Sequence, residues 1–268
     1  MNFALNYSHP AAELIRANKI DVDLFKCPDW PNVIAAAREL RPVYVHFPIN
    51  AGSPSFAGVD WHKVESMAGN TNTPFINVHI SPQLKDYPGL RDSSDESEVL
   101  RVRERVIGDV GAVVRRFGAE RVMIEMVPYG NPAEGFFGPA TCPDMICDVC
   151  RETGCGLLLD VSHCRITARV LGQDARAFVE RMPVDRLREL HVTGLGWQET
   201  ILKDHRPMTA EDWVEFDWMM GRIRSGAWAR PWCVACEYGG VGPQMAKISD
   251  PEVIAEQVPR MCEAVRAS

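Results

Sequence analysis

No stretch of the chain approaches the roughly 18 consecutive apolar residues that a membrane-spanning helix needs. The opening MNFALNYSHPAAELIRANKI lacks a basic segment ahead of an apolar core. Neither a membrane span nor a secretory signal is expected, and a cytoplasmic protein is. Positive charge is not in excess: 29 Lys and Arg against 36 Asp and Glu give a net charge of −7. That balance is a poor basis for gripping nucleic acid or an anionic membrane, so neither is expected as a partner. No Gly-x-Gly-x-x-Gly follows the first apolar run, so nothing supports a dinucleotide site there. No linker, low-complexity segment or internal repeat interrupts the chain, and a single domain over residues 1–268 is expected. The nine cysteines are an odd number without a secretory signal, which points to reduced thiols rather than a disulfide framework.

What is present is an ordinary globular composition, 46% hydrophobic and 24% charged, with a regular alternation of short apolar runs and amphipathic stretches. The apolar runs are 3–7, 22–25, 43–47, 75–80, 121–127, 156–161, 187–192 and 232–238. Helical patterns follow at 8–18, 31–40, 61–68, about 98–117, 141–152, 175–182, 209–224 and from 250 onward, with Thr141, Thr209 and Asp250 as expected caps. Strands separated by helices give right-handed βαβ units and a parallel sheet. Eight units of about 30 residues fit an α/β fold of the single (β/α)8 TIM-barrel type better than a doubly wound open sheet.

The positions of the polar residues carry the functional information. His46, His79, His163 and His191 fall at or near the ends of the third, fourth, sixth and seventh runs, and His205 falls in the loop after the seventh. Glu125, Asp160, Asp204 and Glu237 occupy the same level. In a barrel these ends converge on the face where catalytic residues collect. A carboxylate at an apolar strand end is costly unless it is paired or metal-bound. Any one of these residues alone reads as a structural histidine or an ion-pair partner. Together, imidazole and carboxylate are the ligand set of zinc, iron or manganese, and nine candidates are enough for two or three ions. Glu125, Glu237 and His163 are the candidates for bridging metals or moving a proton.

The strand-end pattern resembles the xylose isomerase-like TIM barrels. His46, His79, Glu125, Asp160 with His163, His191, Asp204 with His205, and Glu237 are similar to the trinuclear zinc ligands of AP endonucleases of the endonuclease-four type. Sugar isomerases and epimerases of the superfamily keep a smaller set, here Glu125, Asp160, His191 and Glu237. The segments HVTGLG, DHRPMTAEDW and SGAWARPWCVACEYG resemble multinuclear non-heme iron-dependent oxidative enzymes, which modify cysteine or other residues of peptides. Met126, Ser162 with His163, and the adjacency of Asp204 and His205 depart from that family's pattern. Neighbours on an extended chain point to opposite sides, so ligation by Asp204 or His205, and not necessarily by both, is expected.

The resemblance implies an O2-dependent oxidoreductase with two or three irons, acting on a cysteine-containing peptide or small thiol, with a separate peptide-recognition protein as a further partner. A zinc- or manganese-dependent hydrolase or sugar isomerase is the alternative, and a non-catalytic metal-binding barrel a third reading. Lys26, Arg165, Lys203 and Arg206, at or just after strand ends, are candidates for binding a substrate carboxylate or phosphate, against a reading as surface charge. Tyr129, a further candidate substrate contact, opens a Gly- and Pro-rich loop, 129–141, whose Phe136 and Phe137 serve as a lid or tuck inward; loop 49–60 is similar in character. The acidic run 92–98 reads as a solvated loop and helix cap. Cys142, Cys147 and Cys150 on a helix, and Cys233 and Cys236 on a strand, read as packing thiols. Residues three apart on a strand face opposite sides, which rules out shared ligation by the last pair.

Overall fold

The computed structural model describes residues 1–92, 95–130 and 134–268. The 129–141 loop and the acidic run 92–98 therefore each include residues outside the described set. In chain order the elements are β1 (Asn2–Asn6), α1 (His9–Arg16), β2 (Leu24–Pro28), α2 (Pro31–Arg38), β3 (Val43–His46), β4 (Asn50–Ala51), α3 (Trp61–Thr71), β5 (Ile76–Ile80), α4 (Glu96–Phe117), β6 (Val122–Met126), α5 (Pro143–Thr153), β7 (Gly156–Asp160), α6 (Val161–Val170), α7 (Ala175–Glu180), β8 (Leu187–Val192), β9 (Gly194–Gln198), β10 (Ile201–Arg206), α8 (Ala210–Arg224), β11 (Cys233–Cys236) and α9 (Pro251–Arg266).

The contacts divide the chain into two units. The first comprises Met1–His46, Ser66–Thr73 and Arg188–Ser268. Its sheet runs β3-β2-β1-β11-β8 with every pairing parallel. Phe3, Leu5 and Phe25 are fully buried in it, and α9 packs on β1 and α1. Each such side chain contributes about 1.5–3 kcal/mol by leaving water. The second unit comprises Phe47–Glu65 and Pro74–Leu187. Its sheet runs β4-β5-β6-β7, again parallel, with every residue of β6 and β7 buried. Strands covered on both faces explain why these runs are continuously apolar rather than alternating.

Helix ends follow the sequence signals where a side chain can reach the backbone. Asp95 caps α4, with Glu96 and Glu98 in its first turn and Arg115 and Arg116 in its last, complementing the helix dipole at both ends. Thr209 and Asp212 form a reciprocal capping box on α8, and Asp250 caps α9. Thr141 does not cap α5. The cap is Cys142, without a side-chain bond, because Pro143 supplies the first helical residue, while the Thr141 hydroxyl donates to the Gly138 carbonyl at 2.7 Å.

All eight expected strands are present, with local corrections. The second lies at Leu24–Pro28 rather than 22–25, because Lys26 is a buried member of it. Helix α6 is additional: Asp160 is at once the last residue of β7 and the N-cap of α6, so no loop separates them. His163 thus sits in the first helical turn, not at a strand end, and Arg165 follows in the same helix. Loop 49–60 contains β4 and a 3-10 turn at Pro54–Gly58. Segment 194–206 folds as an antiparallel hairpin, so Lys203, Asp204, His205 and Arg206 lie on β10. Only glycine fits at Gly194, where a Cβ would fall 2.0 Å from the Pro207 carbonyl oxygen.

Candidate metal centre

In the second unit the site grows from three consecutive strands. β5 and β6 pair with His79 directly beside Glu125. This places the two side chains on one face, with His79 Nε2 3.3 Å from Glu125 Oε2. Asp160 ends β7 and turns its Oδ1 to the backbone N–H of His163 at 2.9 Å. Its Oδ2 lies 3.6 Å from His163 Nε2, and His163 Nδ1 lies 3.4 Å from Glu125 Oε1. Glu125, Asp160 and His163 each offer one ligand atom within 4.8 Å of the others. Both carboxylates are almost wholly buried, at 3% and 1% side-chain exposure. Two buried anions this close repel unless a cation joins them.

In the first unit the same logic operates on β3, β8 and the residue after β11. Tyr44 and His46 are two apart on β3, and Glu189 and His191 two apart on β8, so each pair shares a face. The upper layer brings the His46 and His191 rings to a 5.4 Å centroid separation. In the lower layer the Tyr44 hydroxyl donates to Glu189 Oε1 at 2.7 Å. Burial, and then the Glu189 charge, push the Tyr44 phenol well above its ordinary pKa, so it stays a donor. Glu237 follows β11, with Oε1 3.2 Å from His191 Nδ1 and in a buried ion pair with Lys26. His205 Nδ1 reaches the Glu237 carbonyl at 2.6 Å.

The ring bonds fix which histidine nitrogen is available. A carbonyl oxygen only accepts, so a ring nitrogen facing one carries the hydrogen. His79 Nδ1 faces the Ile49 carbonyl at 3.3 Å, His163 Nδ1 the Met126 carbonyl at 2.8 Å, and His205 Nδ1 the Glu237 carbonyl. All three therefore present Nε2 as the coordinating nitrogen. His191 is reversed: its Nε2 faces Glu189 Oε1 at 2.7 Å and its Nδ1 faces Glu237.

The alternation expected for Asp204 and His205 does not hold locally. His205 has a left-handed backbone, φ +54°, in a stretch where the hairpin register shifts, and its Nε2 lies 3.9 Å from Asp204 Oδ1. The strand-facing argument applies only to extended backbone, so it does not separate these two side chains. Glu189 and Tyr44 were not singled out in the sequence. The signal was available: an acid two residues before His191 on a buried strand must share its face.

The other expected contacts are distributed as follows. Lys26 lines a cavity of about 200 Å³ with Tyr7, Trp30 and His46. Lys203 and Arg206 line a groove of about 1000 Å³ with His205, Lys247 and the exposed Trp197. Arg206 also donates to Gln198 at 3.0 Å. Arg165 is half-buried on α6. Tyr129 donates to Asp92, a bond that pushes its phenol up to about 12. Phe137 is fully buried and Phe136 bridges to Gln83, so the inward reading of that pair holds for Phe137. All nine thiols are free, with Cys142 and Cys147 partly exposed and the rest buried. Cys142 stands at the helix cap rather than within the helix.

Comparison with known proteins bears on both fold and site. Residues 136–224 match the family model described as RiPP precursor modification enzyme MbnB/TglH/ChrH, a span that includes Asp160, His163, His191, Asp204 and His205. A UPF0276 protein of Rhizorhabdus wittichii is 32% identical over 198 residues, covering 72% of this chain and 69% of that protein. D-psicose 3-epimerase from Clostridium cellulolyticum H10 superposes with a TM-score of 0.60 at 12% identity, covering 100% of this chain and 99% of that one. 3-keto-D-glucoside 4-epimerase from E. coli gives 0.61 at 12% identity and 100% of both chains. At such identities the likeness shows the fold alone, the α/β TIM barrel that the sequence rhythm implied. Among the described residues no helix is long and apolar enough to cross a membrane.

Proposed function

The chain belongs to the family of UPF0276 proteins, and we propose that it is a multinuclear iron-dependent oxidative enzyme acting on a cysteine-containing peptide or small thiol. The observation that carries this reading is the convergence of Glu125, Asp160 and His163, with ligand atoms within 4.8 Å of one another in a buried setting. The match to RiPP precursor modification enzymes over residues 136–224 supports a peptide substrate. A separate peptide-recognition protein is the partner such chemistry calls for. The epimerase likeness does not favour sugar chemistry, because it rests on fold.

The residues fit a metal. Each unit offers buried carboxylate and imidazole on one face, and the ring nitrogens left with lone pairs are turned toward carboxylate oxygens. Lone pairs facing lone pairs in a dry site call for a cation. Glu125, Asp160, His163 and His79 would hold it in the second unit, and His191, Glu237 and His46 in the first. Asp204 and His205 are the further candidates. Bound iron would supply the redox chemistry, with dioxygen as the oxidant of the thiol-bearing substrate.

The protein's own contribution is orientation, charge and exclusion of water. The Ile49 and Met126 carbonyls hold the His79 and His163 rings so that Nε2 faces the carboxylates. Lys26 offsets the charge of Glu237 and borders the adjacent cavity, where it would meet a substrate carboxylate. Glu125, Glu237 and His163 are the groups placed to hold or move a proton. Metal content per chain, on protein purified without added metal at low oxygen, tests the reading. Two or three irons per chain are expected. Zinc or manganese at that stoichiometry would redirect the assignment to hydrolysis or isomerisation, and less than about one ion after reconstitution would overturn it.

A further inference from the structure

We propose that Glu189 is a positioning residue of the metal centre, taking the Nε2 hydrogen of His191 and so fixing Nδ1 as the nitrogen that meets the metal. The inference rests on the metal-centre reading above and assigns a residue that reading does not contain.

Three histidines of the site, His79, His163 and His205, are held by backbone carbonyls at Nδ1. His191 is held at the opposite nitrogen, by a carboxylate, with Nε2 2.7 Å from Glu189 Oε1. Both side chains are completely buried. The pairing is built into the strand, since residues 189 and 191 of β8 necessarily share a face. Glu189 is itself held in place: the same Oε1 accepts from Tyr44 on β3 at 2.7 Å, and Tyr44 packs edge-on against Trp232 at 5.2 Å. Neither Tyr44 nor Glu189 has reason to be polar for packing alone. A carboxylate at full burial in a sheet interior is costly, and an aliphatic residue would fill the position.

The chemical consequence follows from the hydrogen count. With Nε2–H donated to Glu189, the His191 lone pair lies on Nδ1, which faces Glu237 Oε1 at 3.2 Å. That is where a cation bridging His191 and Glu237 would bind. A carboxylate behind a ligating imidazole fixes its tautomer and orientation and makes the other nitrogen a better donor to the metal. A backbone carbonyl fixes the tautomer but adds no full charge, so the Glu189 hold makes His191 a better donor than a carbonyl hold would.

The test uses the full chain stripped of metal and titrated with Co(II) against a competing chelator, with the visible Co(II) spectrum recorded at each step. E189Q keeps an oxygen that can accept from both Tyr44 and His191 but loses the charge. E189A loses both. Co(II) affinity is expected to fall by about tenfold in E189Q and about a hundredfold in E189A, the range seen when such partners of metal-ligating histidines are removed. A changed Co(II) spectrum is expected in both, with the metal-free proteins still unfolding cooperatively. Should E189A fail to fold, the isosteric E189Q decides. Wild-type affinity and spectrum in the Glu189 variants would overturn the proposal. H191A separates the two levels: if it loses Co(II) while the Glu189 variants do not, only this inference fails. If H191A retains full Co(II), or the wild type binds none, the metal-centre reading fails and takes the inference with it.

Discussion

Asp160 does two things with one carboxylate, and a pair of substitutions separates them. Oδ1 caps α6 by accepting the His163 backbone N–H at 2.9 Å, and Oδ2 stands 3.6 Å from His163 Nε2. Asparagine caps a helix about as well as aspartate, whereas alanine costs about 0.5–2 kcal/mol. In metal-free protein, Asp160→Asn is therefore expected to unfold at or above the wild-type midpoint, because it keeps the cap and relieves the repulsion between the Asp160 and Glu125 carboxylates. Asp160→Ala loses about 1 kcal/mol relative to Asp160→Asn, or about 2–4 °C in Tm for a chain of this size. With metal present the order changes. A ligand at a hundred times its Kd stabilises the fold by about 2.7 kcal/mol, and a variant that cannot bind gains none of this. Both variants should then lag the metal-loaded wild type, Asp160→Asn by the linkage alone and Asp160→Ala by linkage plus cap. Urea unfolding with chelator and with metal measures all four differences. If Asp160→Asn gained the full metal-dependent stabilisation, Asp160 would not be a ligand. If metal-free Asp160→Ala matched Asp160→Asn, the capping account of α6 would be wrong.

Three further outcomes follow from the same structure. Of the nine thiols, Cys142 and Cys147 are expected to react with an aromatic disulfide in native protein, slowly because burial raises both thiols, and all nine after denaturation. Rapid labelling of Cys164 or Cys236, which burial pushes up, the latter to about 11, would contradict this. Thr209→Ala removes the capping box of α8 and is expected to cost about 0.5–2 kcal/mol in denaturant unfolding; no loss would refute the cap. Asp21 accepts from Arg41 and Arg266, which hold its carboxyl below the ordinary range. A depressed carboxyl contributes stability above the unfolded value near 3.9 and loses it as pH falls through the lower folded value. Arg266→Ala is thus expected to cost up to about 1 kcal/mol at neutral pH, because the pair is exposed, and nothing in strong acid. A pH-independent difference would point to packing instead.

The strand and helix rhythm was legible because parallel strands buried on both faces leave continuous apolar runs. What escaped reading has local causes. β2 was misplaced because a buried lysine, Lys26, interrupts its apolar pattern, and its reason lies across the sheet in Glu237. α6 was missed because Asp160 closes a strand and opens a helix without a loop between. The β9–β10 hairpin was missed because its turn, at Glu199 and Thr200, carries none of the Asn-Gly or Asp-Gly signals of tight hairpins, although Glu199 adopts φ +57°. The site was legible as residue types at strand ends. It was not legible as bonds: the carbonyls that orient His79, His163 and His205 leave no mark in side-chain composition. Glu189 did leave one, two residues before His191, and only the strand's two-residue period reveals it.

The histidine orientations also bear on how the proposed centre would be assembled. A ligand set that adds His46, His79, His163 and His205 to His191 requires that each ring be held in one tautomer, or its lone pair and its N–H compete for the same position. In this chain three of those rings, and His191 with them, have such a hold, from Ile49, Met126, the Glu237 carbonyl and Glu189. Glu237 contributes twice, its carboxylate facing His191 and its backbone fixing His205. Shifting the backbone at residue 237 would therefore disturb two imidazoles at once. A substitution such as Glu237→Gln, which spares the carbonyl, should disturb His191 and the Lys26 ion pair and leave His205 held. Metal loss confined to part of the full complement in Glu237→Gln, against loss of all of it, distinguishes a centre assembled from separately held ligands from one that stands or falls as a unit.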